Sequence, residues 1–188
     1  MRETLMFLGQ SCRRWRVTGA IAPSGRALAR AMADAVGEVA PGQVILELGP
    51  GTGVFTRQLV HQFPAARVVA VELNPVFAAH LAEAVPGATV VTGCATRLGA
   101  HLAGLGLTPA DVAGVVSGLP LLSLPGDLPQ RAIAAVAGAL RPGRRYVQFT
   151  YSAWAWRRFD STGFHRGPVR RVWRNLPPAF VLPFTRSE

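Results

Sequence analysis

The chain has 188 residues, of which 49% are hydrophobic, and its 20 basic residues are all arginine, set against ten acidic residues. This length allows one domain with a hydrophobic core, and positive mean hydropathy with only 16% charged residues excludes a disordered chain. The longest uncharged run, residues 112–126, is shorter than the roughly 20 apolar residues of a transmembrane helix and contains two prolines. We therefore expect no membrane-spanning helix.

The two cysteines, Cys12 and Cys94, stand far apart and outside any Cys/His cluster. The sequence therefore predicts neither a disulfide framework nor a metal site, and this cysteine usage fits a reducing cytosol. The first residues lack the order of a secretory signal, because Arg13, Arg14 and Arg16 follow the apolar segment rather than precede it. We expect the N-terminus to be retained and the protein to be cytoplasmic.

The net charge of +10 is concentrated at both ends of the chain. Residues 1–33 carry six Arg and one acid, residues 34–140 four Arg and seven acids, and residues 141–188 ten Arg and two acids. Basic ends around a mildly acidic middle indicate contact with a polyanion, either a nucleic acid or an anionic membrane. An Arg-rich composition with an ordinary solvated surface is the alternative.

The predicted elements begin with two helices. Apolar residues recur at helical steps from Leu5 to Trp15, with arginines mostly on the other face, which indicates an amphipathic helix with a basic side. Ser24 is the predicted N-cap of a second helix that ends at Gly37. These helices, within residues 1–36, are predicted to cap the same domain that residues 37–188 form.

From residue 44 onward, strand and helix patterns alternate. Strands are predicted at 44–48, 67–72, 88–92, 111–117 and 144–151, and helices near 53–62, 75–85, 96–104 and 128–140. Such alternation is typical of an α/β fold with a parallel sheet covered on both faces, and it places ligands at the carboxyl ends of the strands. A closing antiparallel pair is predicted at residues 169–174 and 179–186, around a proline turn.

A strand that runs into three glycines is the most informative motif. Glu47 and Leu48 lead into Gly49-Pro50-Gly51-Thr52-Gly53, and a helical pattern follows. Glycines allow a tight turn and the close approach of a ligand, and the helix presents free N–H groups. The G-x-G-x-G spacing differs from that of dinucleotide folds, and no Lys-Ser/Thr follows, which excludes a P-loop. Glu72 ends the next strand, where a carboxylate can accept both hydroxyls of a ribose.

These residues together resemble the S-adenosylmethionine (SAM) site of class I methyltransferases. The resemblance implies a Rossmann-like fold, with SAM as cofactor and S-adenosylhomocysteine (SAH) as product. The expected cofactor residues lie in the glycine loop and at the following strand ends: Glu47, Gly49, Gly51, Thr52, Gly53, Glu72, Leu73, Cys94, Ala95 and Ser117. Cys94 stands where that family has an Asp that accepts the adenine amino group, and a thiol is a poor acceptor.

The residues after the fourth strand bear on the methyl acceptor. Methyltransferases acting on base amino groups place an aromatic residue after Asn/Asp-Pro-Pro, whereas Leu121 follows Ser117-Gly118-Leu119-Pro120 here. The sequence therefore has no aromatic side chain at this position to stack on a flat base.

Further blocks are similar to the soluble bacterial phospholipid N-methyltransferases, which are related to the rRNA adenine dimethyltransferases. These blocks are residues 19–24, 47–53, 116–125, 148–151 and 175–179. The resemblance implies phosphatidylethanolamine (PE) as acceptor, methylated toward phosphatidylcholine. The basic ends of the chain and the amphipathic helix lead us to expect an enzyme peripherally bound to the inner face of the cytoplasmic membrane. An rRNA adenine N6-methyltransferase and a non-catalytic SAM-binding protein of the membrane surface are the alternatives.

Tyr151 and Ser117 are the candidate catalytic residues. The Tyr151 hydroxyl can accept a hydrogen bond from an ammonium group, and its ring offers a cation–π face that Trp154 and Trp156 extend. Arginines near the C-terminus are placed to meet a lipid phosphate: Arg166, Arg170, Arg171 and Arg174. The basic N-terminal helix is expected to bind an anionic membrane surface; the alternative is that its apolar stripe packs on the domain. We expect no nucleic acid partner and a monomeric chain.

Overall fold

The computed structural model describes residues 23–152 and 163–188. Its helices are α1 (Pro23–Asp34), α2 (Val54–Gln62), α3 (Pro75–Ala84), α4 (Leu98–Gly104) and α5 (Leu128–Gly138). Its strands are β1 (Val44–Leu48), β2 (Arg67–Glu72), β3 (Ala88–Thr92), β4 (Val112–Ser117), β5 (Arg145–Thr150), β6 (Phe164–Arg166), β7 (Arg170–Val172) and β8 (Ala179–Arg186). Short 3-10 turns occupy Ala95–Arg97 and Leu121–Ser123.

In this part of the chain the strands form one sheet in the order β3-β2-β1-β4-β5-β8-β6, with β7 also paired to β8. Strands β1 to β5 are parallel, and every residue of β1 and β4 is buried because helices cover both faces of the sheet. The predicted Rossmann-like α/β fold, with a mainly parallel sheet and an antiparallel C-terminal pair, is confirmed.

The antiparallel part of the sheet is organised around β8. Strand β8 pairs with β5, so that Phe180 lies opposite Thr150, and it also pairs with β6 and β7. The predicted pair of β7 and β8 is therefore present. Strand β6 was not predicted, because three residues are too few to show an alternating pattern.

Helix α1 packs against the sheet beside β5 and β8. Its Leu28 and Met32 belong to the same hydrophobic cluster as Phe149 and Val181. The helix begins at Pro23, so the prediction that Ser24 is its N-cap was wrong; Pro fits the first turn because that turn needs no N–H donor. The predicted amphipathic helix near residues 5–15 lies outside the described residues.

No helix of the described residues is both long and apolar enough to cross a membrane.

Candidate active site

The glycine loop between β1 and α2 adopts a conformation that requires its glycines. Gly49, Gly51 and Gly53 have φ angles of 66°, 54° and 78°, a region that residues with a side chain rarely adopt. The Gly53 N–H donates to the Pro50 carbonyl over 2.9 Å, and the Gly49 N–H donates to the Val71 carbonyl over 3.0 Å. The loop is therefore folded tightly against the ends of β1 and β2.

The space around the three glycines differs. A Cβ on Gly49 would lie 2.8 Å from Leu119 Cδ2, and a Cβ on Gly53 would collide with Leu81 Cδ1. A Cβ on Gly51 would meet no atom within 4 Å. Gly49 and Gly53 therefore permit close packing, whereas Gly51 leaves backbone accessible to a ligand.

Glu47 is a fully buried carboxylate near the end of β1. Within the described ranges, neither of its carboxylate oxygens has a hydrogen-bond partner, and the Thr56 hydroxyl is also buried without one. Burial raises the pKa of Glu47 to about 7. The hydroxyl and N–H of Thr56, which face the carboxylate outside hydrogen-bond geometry, and the charge of Arg57 oppose this rise, whereas the charge of Glu72 adds to it. A buried carboxylate is costly in its charged form, and a cation bound nearby would favour that form.

The carboxylate of Glu72 connects the glycine loop to the end of β2. Its Oε2 accepts from the Gly51 N–H over 3.2 Å, and its Oε1 accepts from the Asn74 N–H over 2.9 Å. Each carboxylate oxygen keeps a second lone pair, so Glu72 can still accept two ribose hydroxyls. Leu73 lies half-buried beside it.

The turn after β3 is fixed by a histidine. His101 Nε2 lies 3.0 Å from the Cys94 carbonyl oxygen, and a Cβ on Gly93 would collide with the His101 ring. The Cys94 thiol lies 3.1 Å from the Thr96 hydroxyl, and Ala95 between them is half-buried. Sequence reasoning missed His101, whose only signal was a glycine eight residues earlier that makes room for its ring.

Ser117 is fully buried at the end of β4. Its Oγ accepts the Leu119 N–H over 3.2 Å, and it also forms a hydrogen bond with the Tyr146 hydroxyl. These bonds shape the turn that begins at Gly118. A direct catalytic contact for Ser117 stays a prediction.

Two buried residues of β5 hold the same turn. The Tyr146 hydroxyl donates to Gln148 Oε1 over 2.8 Å, and Gln148 Nε2 donates to the carbonyl oxygens of Leu119 over 3.1 Å and Phe149 over 2.8 Å. Burial raises the pKa of Tyr146 well above its usual value, so the hydroxyl remains a donor. This network was not predicted; its signal is two polar residues at alternate positions of an otherwise apolar strand.

Tyr151 follows β5 and exposes 42% of its surface. Partial burial raises its pKa, and a hydrogen bond with the Asn175 side chain opposes that rise. Asn175 is itself buried, and its Nδ2 donates to the Pro177 carbonyl over 2.8 Å. Tyr151 is therefore a protonated phenol near neutral pH, fixed by the turn between β7 and β8. Trp154 and Trp156 lie outside the described residues.

The predicted site residues meet at one edge of the sheet, because the carboxyl ends of five parallel neighbours lie there. Backbone hydrogen bonds connect adjacent ends: the Gly118 N–H donates to Leu48, and the Gly93 N–H donates to Glu72. Thr52 is exposed in the glycine loop, and its carbonyl accepts from Arg57 over 2.8 Å. This edge thus contains an accessible loop backbone, a buried carboxylate and an exposed phenol.

The chain is similar to known methyltransferases in both sequence and fold. The family model for ribosomal RNA adenine dimethylase matches residues 28–92, which run from α1 to the end of β3. The solved structure of 1,6-didemethyltoxoflavin-N1-methyltransferase from Burkholderia thailandensis, which contains SAH, superposes with a TM-score of 0.73 at 18% identity. That superposition covers all of this chain and 90% of the other, and it shows a methyltransferase fold.

A match along nearly the whole sequence decides the family. The ornithine lipid N-methyltransferase of Singulisphaera acidiphila is 32% identical over 183 residues, covering 95% of this chain and 94% of that protein. The chain belongs to this lipid N-methyltransferase family, within the class I SAM-dependent methyltransferases. The dimethyladenosine transferase of Saccharomyces cerevisiae is 45% identical over 53 residues, which is 28% of this chain and 16% of that protein.

As a class I methyltransferase, the protein takes SAM as its cofactor, and the predicted cofactor is confirmed. The residues present fit this group. The negative charge of the buried Glu47 suits a cationic amino-acid portion nearby, the open backbone at Gly51 suits its close approach, and Glu72 suits the ribose. The roles of the individual residues stay predictions. The match to the ornithine lipid enzyme supports the predicted lipid N-methylation, but it does not identify PE as the acceptor.

Proposed function

We propose that this protein transfers methyl groups from SAM to the amine of a membrane lipid headgroup, with PE as the acceptor expected from the sequence. The observation that carries the proposal is the match to a lipid N-methyltransferase over 95% of the chain, which includes the residues after β4 and β5. The rRNA methyltransferase family model ends at residue 92, so it covers none of those residues.

The shared chemistry of the candidate acceptors is a primary amine on a lipid. PE carries an ethanolamine amine, and the lipid named for the Singulisphaera relative carries the amine of ornithine. Both amines are protonated at neutral pH. The acceptor end of the site must therefore hold an ammonium group and let it lose a proton before transfer.

SAM supplies an activated methyl group on a sulfonium, so the protein's own task is to align the amine and free its lone pair. The neutral Tyr151 hydroxyl can accept a hydrogen bond from the ammonium and orient it at the mouth of the site. The ring presents a cation–π face, which continues to bind the nitrogen as methyl groups replace its protons. Because Tyr151 is 42% exposed, water reaches the same position and takes the released proton.

Replacing Tyr151 by Phe tests this role. The ring and its packing on Phe149 remain, whereas the hydrogen bond to the ammonium and the one with Asn175 are lost. We expect kcat on a lipid amine to fall by about tenfold or more, with the affinity for SAM unchanged. Unchanged turnover would remove the hydroxyl from the mechanism.

The proposed activity is tested by incubating the full chain with methyl-labelled SAM and one of three acceptors. The acceptors are vesicles containing PE and an anionic lipid, vesicles containing ornithine lipid and the same anionic lipid, and ribosomal RNA. Label in PE supports the full proposal, and label in ornithine lipid alone corrects the acceptor. Label in RNA, or SAM binding without any transfer, would contradict it.

We further propose that the enzyme acts as a monomer bound peripherally to the inner face of the cytoplasmic membrane. The concentration of arginine at both ends of the chain supports binding to an anionic surface. A lipid acceptor supports it as well, because the headgroup amine lies at the bilayer surface while the acyl chains stay in the membrane.

A further inference from the structure

The turn between β7 and β8, residues 173–178, carries two large apolar side chains on its surface. We refer to these residues as the β7–β8 tip. Trp173 is 68% exposed and Leu176 is 87% exposed. Leu176 has the largest exposed fraction among the described large hydrophobic residues, and the two side chains stand three positions apart in one turn. Two large apolar side chains exposed within one short turn are typical of an interaction surface.

The tip is held in place by its own contacts. Asn175 is buried and donates to the Pro177 carbonyl over 2.8 Å, which closes the turn. The Arg171 guanidinium carbon lies 3.6 Å from the centroid of the Trp173 ring and 5.3 Å from that of Phe180. Trp173 is therefore fixed on one face by a cation–π contact while its remaining surface is exposed to solvent.

The charge around the tip is positive. Residues 163–188 carry five arginines, and Glu188 is their one acidic residue. Arg170 forms an exposed ion pair with Asp34, with 3.2 Å between nitrogen and oxygen. Arg171 and Arg174 are exposed on either side of Trp173. The surface thus combines apolar side chains with cationic neighbours, the combination that favours an anionic lipid interface.

The tip lies at the same edge of the sheet as the proposed acceptor site. Phe180, near the start of β8, is opposite Thr150 at the end of β5, and Tyr151 follows directly. Asn175 within the tip forms the hydrogen bond with Tyr151. A surface that contacts the tip is therefore next to the phenol at the mouth of the site.

We propose that the β7–β8 tip is a membrane anchor that inserts Trp173 and Leu176 into the interfacial region of an anionic bilayer. This inference deepens the proposed function, on which it rests for its catalytic meaning: the anchor presents the mouth of the site to headgroups that remain in the membrane. Arg171 and Arg174 then lie at the level of the lipid phosphates. RNA would also be attracted by the arginines, but an 87% exposed leucine gains from contact with acyl chains rather than from phosphate.

Vesicle binding of full-chain variants tests the anchor. Trp173→Ala and Leu176→Ser remove the apolar contacts, and both positions are exposed, so the fold should be retained. Val169→Ser is the matched apolar control, since Val169 is 39% exposed but precedes β7 at the strand's other end. Arg141→Gln is the charge control, to be compared with Arg174→Gln, because Arg141 lies in the turn before β5 at the opposite edge of the sheet.

Affinity is measured by co-sedimentation with vesicles of PE and phosphatidylglycerol, and with vesicles of phosphatidylcholine alone. We expect Trp173→Ala and Leu176→Ser each to weaken binding to the anionic vesicles by about tenfold. Arg174→Gln should weaken binding more than Arg141→Gln, and Val169→Ser should bind as the unchanged protein does. Equal binding by all variants would overturn the proposal, as would a loss of RNA binding by the tip variants with vesicle binding intact.

Brominated phosphatidylglycerol gives a direct measure of insertion, because bromine quenches nearby tryptophan emission. Comparing the full chain with Trp173→Phe assigns the quenching to this residue, even if other segments also bind the vesicle. We expect the absolute emission lost on quenching, per mole of vesicle-bound protein, to be smaller in Trp173→Phe than in the unchanged chain; an equal loss would contradict insertion.

The anchor and the proposed activity can fail separately. Methyl transfer to PE in detergent micelles should survive Leu176→Ser, since no bilayer is needed there. If no lipid is methylated but Trp173 is quenched, the proposed activity is rejected and the anchor is retained. Transfer to lipid without any effect of the tip variants would keep the activity and reject the anchor.

Discussion

The buried carboxylate of Glu47 makes the stability of the ligand-free protein depend on pH. In the unfolded chain this group releases its proton near pH 4.5, whereas in the folded protein burial raises its pKa to about 7. Between these values the unfolded state binds fewer protons, so the free energy of unfolding falls as the pH rises. The shift corresponds to roughly 3 kcal/mol once the pH exceeds about 7.

Glu47→Gln should therefore stabilise the ligand-free protein at pH 8 by up to about 3 kcal/mol and change it little at pH 4.5. The same variant should bind SAM more weakly, because the buried negative charge is lost. Urea unfolding at a series of pH values and calorimetric titration with SAM measure the two effects. Glu38→Gln, at an exposed position, is the control and should change neither. Equal destabilisation of Glu47→Gln at every pH would contradict the argument.

Cys94 gives a second prediction for a single residue. Its thiol is a weak acceptor that contacts the Thr96 hydroxyl. In the class I methyltransferases that this site resembles, an Asp at this position accepts the adenine amino group. Cys94→Asp should tighten SAH binding by about tenfold, since a charged acceptor replaces a weak one. Calorimetry with the inosine analogue of SAH, which lacks that amino group, should show no gain.

The appropriate control for this substitution is Cys94→Ala. It removes the contact with Thr96 and adds no acceptor, so its affinity for SAH should not rise. A similar gain with SAH and with the inosine analogue would mean that the new carboxylate acts on another part of the ligand.

At the scale of elements, the glycine loop separates packing from ligand access. Gly53→Ala would place a methyl group against Leu81 at a φ of 78°, so it should lower the free energy of unfolding by about 2 kcal/mol or more. Gly51→Ala meets no atom within 4 Å, so its cost should be closer to the roughly 1 kcal/mol of the strained φ angle alone.

For SAM binding the order of the two variants should be reversed: Gly51→Ala should lose more affinity than Gly53→Ala. The methyl group of Gly51→Ala would occupy the open space beside the loop, so SAM affinity should fall even though most of the stability is retained. Thermal unfolding with and without SAM reports both quantities. If Gly51→Ala binds SAM normally, the ligand does not approach the loop at this position.

Sequence patterns predicted the strands of the parallel sheet and the helices between them. Strand β1 is an uninterrupted apolar run apart from Glu47, and its boundaries agree with the structure. Strand β6 was missed because Phe164 alone is buried in three residues, and it is a strand only through its pairing with β8. Such short edge strands depend on tertiary contacts that a local pattern does not contain.

The site shows the same division between local and distant information. The glycine loop and Glu72 were predicted because the alternating glycines, and the spacing of 19 residues between Gly53 and Glu72, can be read directly from the sequence. The contacts of Gln148 with Leu119 and of Asn175 with Tyr151 join residues 29 and 24 positions apart. They arise from the order of strands in the sheet, which alternation alone does not specify.

For the whole molecule, the distribution of charge bears on its orientation at a membrane. Residues 34–140, which contain the cofactor end of the site, carry seven acids and four arginines, and both flanking segments are basic. An anionic surface would attract the two ends and repel the middle. Such an arrangement would direct the C-terminal part of the sheet, with Tyr151 and the β7–β8 tip, toward the lipid.

Deleting residues 1–16 tests the N-terminal share of this attraction. The deletion removes four arginines and one glutamate, a net charge of +3, together with the apolar residues of the predicted amphipathic helix. Affinity for vesicles of PE and phosphatidylglycerol should fall by about tenfold or more at roughly 0.1 M salt, with SAM affinity unchanged. Replacing Arg13, Arg14 and Arg16 by Gln in the full chain isolates the charge, and its effect should shrink at about 0.5 M salt because screening removes the attraction. An equal loss of vesicle and SAM affinity in the deletion would instead assign the segment to closing the cofactor site.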